Sequence, residues 1–296
     1  MHIQIDVLNL IRATEPVLKD ILGAKQALQF DSVGGGSINH AYRVKAGGKS
    51  VFVKLNQPKA YPGMFAAEER GLNLLRARSR FHIPEVLKTA ETPDAAFIIM
   101  ELIETGIPKE DFWEGFACNL AHMHQQGNSV FGLDHENYIG SLPQANHTRA
   151  GWADFYVEMR LEPQLKQARN MGLADVALCK SFDRLFAQMD NHFPEEAPAL
   201  LHGDLWSGNF MCTSAGTATI FDPAVYYGHR EMDLAMSKLF GGFDRRFYEF
   251  YHESYPLENG WQERIPLGQL YPLLVHVNLF GGGYVQQLKS CLHRFV

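Results

Sequence analysis

A chain of 296 residues has room, at roughly 150 residues per domain, for two domains or for one large domain in two lobes. With 46% apolar and 20% charged residues, its composition is that of a packed globular protein and excludes a disordered or collagenous one. Lys and Arg number 27 against 33 Asp and Glu, a formal charge of −6, which argues against non-specific nucleic-acid binding but not against a small anion in a locally positive pocket. Residues 3–28 carry apolar side chains at helical spacing (Ile3, Val7, Leu10, Ile11, Leu18, Leu22) and predict a helix broken near Pro16. Gln29–Val33, Ala41–Ala46 and Ser50–Leu55 read as three short strands, separated by Gly34-Gly35-Gly36 and by Gly47-Gly48.

Met64–Arg78 reads as a helix with Leu72 and Leu75 on one face, and Ala95–Met100 as a continuously apolar strand. That strand breaks at Glu101, and a polar segment runs on to Gly106. The chain is expected to divide here, into residues 1–103 and residues 104–296. Beyond the boundary, Lys109–Gln126, Trp152–Met171 and Asp175–His192 predict helices, and Phe210–Thr213 and Ala218–Phe221 predict short strands. Helices resume over Glu231–Leu239, Arg245–Ser254 and Leu267–Val296, the last broken at Pro272 or at Gly281–Gly283. No internal repeat and no low-complexity segment interrupts this order. The expected fold class is α+β, a small sheet lobe followed by a larger, mostly helical one.

Cys118, Cys179, Cys212 and Cys291 show neither a CxxC nor a zinc-ligand spacing, and the N-terminus has no secretory pattern, so free thiols are expected. No run reaches the ~18 apolar residues that span a bilayer. The expected setting is cytoplasmic, with no membrane and no nucleic acid among the partners.

Three segments carry chemistry: Leu201-His202-Gly203-Asp204-Leu205-Trp206-Ser207-Gly208-Asn209, Ile220-Phe221-Asp222-Pro223, and Val51-Phe52-Val53-Lys54. Phosphoryl transfer from a nucleotide needs an anchored polyphosphate, a metal ion between phosphate oxygens, and an acceptor hydroxyl held near a base. Asp204 suits the base. Asn209, five residues on, offers an amide oxygen to a metal, and Asp222 a carboxylate. Mg²⁺ is the ion that fits one or two such oxygens plus phosphates. A single Asp in such a place is more often a cap or turn residue; the three together, in this order and between short strands, favour the catalytic reading.

The pattern H-G-D-x-x-x-x-N followed by D resembles the catalytic loop and metal-binding Asp of the protein-kinase-like superfamily, in its small-molecule branch. The resemblance implies two lobes, with the strand lysine, Lys54, on the ATP phosphates and paired to a helix glutamate. Glu68 is preferred to Glu69 because it lies about one turn before Leu72. It further implies a phosphate loop at Gly34, Gly35, Gly36 and Ser37, and a hinge at Glu101, Leu102 and Ile103. The Glu101 carbonyl and Ile103 N–H of that hinge would bind adenine, with Met100 behind the base.

The strings LHGDLWSGN and DPAVYYGHREMDLA (Leu201–Asn209 and Asp222–Ala235), with Val51–Lys54, Phe131–Leu133, Trp152–Tyr156 and Leu279–Gly282, resemble more narrowly the fructosamine kinase (ketosamine 3-kinase) family, over about residues 30–285. This resemblance implies ATP-dependent, Mg²⁺-assisted transfer to the 3-hydroxyl of a ketosamine, free or protein-bound, as a deglycation repair step. Trp206, Tyr227 and His229 would line the sugar site, and Asp233 would order the catalytic loop or cap the helix that follows. Many family members carry in the glycine-rich loop a cysteine that links two chains. Here that position reads as Ser37, which implies a monomer or a non-covalent dimer. Two other readings stand beside this one. A kinase of the same fold acting on an aminoglycoside or on choline would want an acidic acceptor pocket, where the segment after Asp222 is aromatic and of mixed charge. A catalytically dead scaffold would lack one of Asp204, Asn209, Asp222 and Lys54, all of which are present. A protein kinase would show an A-P-E segment, and none follows Asp222.

Overall fold

The computed structural model describes residues 7–34 and 38–296. In chain order the elements begin with α1 (Val7–Leu22), β1 (Gln29–Ser32), β2 (His40–Ala46), β3 (Lys49–Asn56), α2 (Met64–Arg78), β4 (Val86–Glu91) and β5 (Ala96–Glu101). There follow α3 (Phe112–His124), the hairpin β6 (Asn137–Ile139) and β7 (Leu142–Gln144), α4 (Trp152–Phe155), α5 (Glu162–Asn170), α6 (Val176–Phe186) and β8 (Ala199–Leu201). The chain continues through β9 (Phe210–Cys212), β10 (Ala218–Ile220), β11 (Tyr226–Gly228), α7 (Glu231–Ser237), α8 (Arg245–Ser254), α9 (Trp261–Gly268), α10 (Leu270–Phe280) and α11 (Val285–Leu292). It forms two compact units. One takes the residues up to Ala77, then Phe81–Lys109 and Met211–Asp222; the other takes Arg78–Arg80, Glu110–Phe210 and Pro223–Val296. Among the described residues no helix is long and apolar enough to cross a membrane.

The first unit is a five-stranded antiparallel sheet in the order β1-β2-β3-β5-β4. The β2–β3 turn is Gly47-Gly48, both residues at positive φ (57° and 82°), which is the requirement of a two-residue hairpin matched to strand twist. Side chains alternate across β3. Val51, Val53 and Leu55 join Val44, Phe97 and Ile99 in a core closed by Leu10, Leu18 and Leu22 of α1. Phe52 and Lys54 therefore point to the opposite face. α1 runs unbroken through Pro16, contrary to the expected break. The lost backbone bond is outweighed by an apolar stripe that stays buried along the helix. β4 has no sequence expectation: its burial does not alternate cleanly, and a register shift falls between Val86 and Lys88.

The second unit is mostly helical. α3 and α8 pack through an aromatic cluster in which Phe116 meets Phe210, Phe243 and Phe247 at centroid distances of 5.1, 5.2 and 5.3 Å. The three-residue strands β8 and β11 pair antiparallel, Leu201 opposite Tyr226, and β8 leads directly into the H-G-D segment. These strands, with β6 and β7, are only three residues long, too short to give an alternating pattern, and the sequence reading passes over them. It passes over α9 as well, which carries an internal Pro266. The C-terminal helix is broken at Gly281, φ +89°, and not at Pro272. Pro272 is the third residue of α10, where its missing N–H has no intrahelical partner to lose.

Between α4 and α5 lies a π-helical stretch, Tyr156–Leu161. Its Arg160 is fully buried, with no carboxylate partner among the described residues. The guanidinium donates to the Ala145 carbonyl (2.6 Å) and to Asn146 Oδ1 (2.7 Å) and stacks 4.0 Å from the centroid of the Tyr226 ring in β11. Removing it leaves a cavity under Tyr226 and takes a donor from three acceptors, the third being the Met159 carbonyl at 3.0 Å. Arg160→Ala is expected to destabilise the protein by about 3 kcal/mol, read as a fall in Tm of several degrees; an unchanged Tm contradicts this account of the second unit.

Candidate active site

The first unit gathers three charges. Lys54, at the centre of β3, lies opposite Ala41 and Ile98 in register. Its Nζ donates to Glu68 Oε1 at 2.6 Å and also to the Asp222 carboxylate. Of the two glutamates considered from the sequence, Glu68 is the one on the α2 face shared with the buried Phe65, Leu72 and Leu75. Burial by itself pushes the Lys54 amine down. The Asp222 and Glu68 carboxylates outweigh it and hold the amine above its ordinary value, so it stays a cation. Asp222 follows β10 at φ +56°, the one non-glycine residue at positive φ among those described. Its side chain is 42% exposed, against 7% for Lys54 and 10% for Glu68. A left-handed backbone at an aspartate that shares a buried cation yet faces solvent has the character of a functional site.

The second unit builds the loop after β8. Gly203 sits at φ +82°, and a Cβ there would stand 2.1 Å from the Ala224 carbonyl oxygen, so no other residue fits. The loop is clamped at its start by Asp233 of α7. Its Oδ2 accepts the His202 N–H at 2.8 Å and its Oδ1 the Gly203 N–H at 2.9 Å. Asn209 Nδ2 donates to the Asp204 carbonyl and to Asp204 Oδ2, both at 2.9 Å. With the amide nitrogen so engaged, the Asn209 carbonyl oxygen is the atom that can meet a cation. Trp206 packs edge-on to Phe240, 6.0 Å between centroids, and over Gly208, where a Cβ would strike the indole at 2.4 Å.

Of the remaining candidates, Gly35, Gly36 and Ser37 lie outside the described residues. Gly34 has open space around the position of a Cβ, so the protein's own packing does not demand a glycine there. Met100 is buried at the end of β5. Glu101 caps that strand, its carboxylate 3.1 Å from His82 Nε2, and Leu102 and Ile103 follow half-buried. Two of the sugar-lining candidates lie buried rather than on an open surface. Tyr227 is only 9% exposed, its backbone bonded to Gly132 on one side and paired in β11 on the other. His229 is fully buried between Trp152 and Phe193, with Glu196 beside it. An aromatic and a histidine in a loop-like string suggested an open surface; tertiary packing turns the histidine inward. The sequence reading attached no role to His124 of α3, which bonds Asp233, or to Tyr251 of α8, which bonds His124. No local pattern marks them, since each meets its partner across more than a hundred residues of sequence.

A buried lysine–glutamate pair, a strained aspartate and an H-G-D-x-x-x-x-N loop clamped from behind define a phosphotransferase of protein-kinase-like α+β fold. The fructosamine kinase family profile matches residues 10–296. The chain is 42% identical over 268 residues to a protein carrying the name ketoamine kinase in Synechocystis, covering 88% of this chain and 89% of that one. It is 38% identical over 278 residues to the protein-ribulosamine 3-kinase of Arabidopsis thaliana, covering 92% and 84%. The crystal structure of a protein carrying the name fructosamine-3-kinase, from Thermobifida fusca, superposes with a TM-score of 0.84 at 36% identity, covering 94% of this chain and 96% of that one. The chain belongs to the fructosamine kinase family.

The buried His229 carries a pH signature. Burial pushes its imidazole down to about 4; Glu196 opposes the shift and the nearby Arg230 and Arg264 reinforce it. In the unfolded chain the ring takes up a proton near pH 6.5, which the folded state refuses until about pH 4, so this contribution to stability is complete above pH 6.5 and is lost as pH falls toward 4. At about 1.4 kcal/mol per pH unit, it amounts to roughly 3 kcal/mol over the window. Melting temperatures of wild type and His229→Gln, compared from pH 7 to pH 4.5, are expected to converge as pH falls. Parallel curves contradict the assignment.

Proposed function

We propose that this chain is an ATP-dependent kinase that phosphorylates the 3-hydroxyl of a ketosamine, free or attached to a protein lysine. The observation that carries the reading is the loop of the second unit. There Asp204 is steadied by its own asparagine, and its backbone is pinned by a buried carboxylate, as a general base must be pinned to meet one hydroxyl. Family membership supplies the substrate class.

In this reading the 3-hydroxyl oxygen attacks the γ-phosphorus of ATP and the bond to the β-phosphate oxygen breaks, with ADP leaving. Asp204 takes the hydroxyl proton as the O–P bond forms. Lys54, held by Glu68 and Asp222, meets the α- and β-phosphate oxygens. Gly34, with Gly35, Gly36 and Ser37, lets backbone approach the phosphates closely. The strand end at Met100–Ile103 receives adenine. Asn209 and Asp222 would hold Mg²⁺. Their donors are an amide oxygen and a half-exposed carboxylate, both hard and few in number, which suits an ion that keeps phosphate oxygens and waters for its remaining positions. When bound, the ion neutralises charge between the phosphates. Trp206 is the proposed sugar-facing aromatic of the loop. The product carries a phosphate on the carbon next to the carbonyl, so enolisation toward the amine-bearing carbon can expel inorganic phosphate, and water can then hydrolyse the C–N bond and free the amine, which is the chemistry of deglycation. The four cysteines are free thiols, which fits a reducing, cytoplasmic setting.

Asp204→Asn keeps the size and the Asn209 contact but removes the base. It is expected to lower kcat by about 10²–10⁴-fold with ATP affinity within about threefold of wild type. Retained turnover assigns the base elsewhere. Coupled ADP-release assays with ribulose-lysine, erythrulose-lysine, fructose-lysine, kanamycin and choline test the substrate. Turnover is expected on the ketosamines, with the phosphate on the 3-hydroxyl. Turnover on kanamycin or choline alone overturns the acceptor assignment and leaves the phosphate-side roles standing.

A further inference from the structure

Asp233, which pins the Asp204 loop, is itself pinned from behind. Its Oδ2 accepts a second hydrogen bond, from His124 Nε2 at 3.1 Å, in a setting where the two side chains are 1% and 0% exposed. An ionised carboxylate only accepts, so Nε2 carries the hydrogen; in the neutral ring, Nδ1 is then an acceptor. Tyr251 Oη lies 2.7 Å from Nδ1 and so donates to it. Burial holds the Tyr251 phenol well above its ordinary value, which keeps the hydroxyl proton in place. The nearby Arg230 guanidinium opposes that shift. Arg230 is fixed in turn by Glu196 Oε1 and Oε2 at 2.7 and 2.8 Å and by the carbonyls of Tyr255 and Pro256. The donors thus run in one direction, Tyr251 to His124 to Asp233, and each link joins two different helices of the second unit.

We infer that His124, oriented by Tyr251, is a positioning residue for phosphoryl transfer: its Nε2–H fixes the Asp233 carboxylate in the orientation that receives the His202 and Gly203 N–H groups, and thereby fixes the backbone from which Asp204 projects. The inference rests on the reading of Asp204 as the base. Three donors hold the carboxylate against rotation. With the histidine donor removed, Oδ2 loses a charge-assisted bond in a dry site, and the carboxylate must turn or draw the loop with it. A displacement of about 1 Å at the base is enough to cost up to ~10²-fold in turnover. Tyr251 matters because it selects the tautomer. Without its hydroxyl, nothing prevents the hydrogen from moving to Nδ1, which would set a nitrogen lone pair against the carboxylate.

The test compares two variants of similar size. His124→Gln keeps an N–H within reach of Asp233, whereas His124→Leu fills the space without one. Both are assayed below the lower of their melting temperatures, by steady-state kinetics and by amide hydrogen exchange over residues 200–209. His124→Leu is expected to lose about tenfold or more in kcat with KM for ATP within about twofold, and to exchange the His202 and Gly203 amides faster; His124→Gln keeps kcat within about threefold and exchange like wild type. Tyr251→Phe, which removes one oxygen, is expected to show the same pattern as Leu in smaller measure. Equal kcat for Leu and Gln, or a Leu variant that is less stable but turns over normally, overturns the inference. The exchange contrast needs no substrate. If the wild-type protein fails on every ketosamine, the functional reading falls, while faster exchange in Leu than in Gln still supports the relay and equal exchange still overturns it.

Discussion

An ammonium group taken out of water is stable only opposite negative charge, and most of the first unit is arranged to provide that charge to Lys54. The antiparallel sheet sets the residue at the middle of β3, with one face of the strand committed to the core under α1. The other face then has to carry Lys54, and α2 packs where Glu68 can reach it. The third partner comes from far along the chain, when the hairpin β9–β10 delivers Asp222. Two carboxylates on one cation leave a residual negative charge, and of the two it is Asp222 that remains half-exposed, on a backbone that favours no ordinary side chain. Such a cluster stands charged before any nucleotide arrives, as a preorganised electrostatic site requires.

The second unit solves a related problem with the signs exchanged. Here a buried carboxylate, Asp233, has to be satisfied by donors, and it finds them in two backbone N–H groups and one imidazole. The backbone donors belong to the residues just before Asp204, so satisfying Asp233 and shaping the loop are one event. Gly203 is part of the same constraint, because the close approach of the Ala224 carbonyl leaves no space for a side chain. Around this centre the unit buries further charges in pairs, Arg230 with Glu196 and Arg264 with Glu231. Removing one partner of such a pair strands the other in a dry interior, so these networks tie the helices to one geometry.

Legibility followed the chemistry. Asp204, Asn209 and Asp222 stood out because the proposed phosphoryl transfer wants those side chains at short spacings, which survive in a one-dimensional string, and Lys54 because a lysine on an apolar strand is costly unless paired. The long amphipathic helices and the strands β2 and β3 were readable from their periodicity and flanking turns, and β5 from its continuous apolar run. The three-residue strands β6, β7, β8 and β11 were not, since three residues are too few to establish a period or a run. Proline misled where position outweighs type: Pro16 sits in a helix held by its apolar stripe, and Pro272 falls in a first turn, where nothing is lost. Tyr227 and His229 were read as sugar-facing because they lie in a distinctive polar and aromatic string. Their burial depends on Gly132, Trp152 and Phe193, which the string does not contain.

The sequence by itself determined the α+β order of elements, the H-G-D-x-x-x-x-N motif on which the proposed site rests and the family, because each of these is written in composition, period or motif over a few tens of residues. Only the tertiary structure decided that Lys54 is shared between Glu68 and Asp222, that Asp222 takes a left-handed backbone, that His229 points inward, and that Tyr251 and His124 stand behind Asp233. The physical reason is common to all four: each is fixed by how groups distant along the chain satisfy one another's charge and hydrogen bonds once water is excluded, and that matching is defined only in the folded interior.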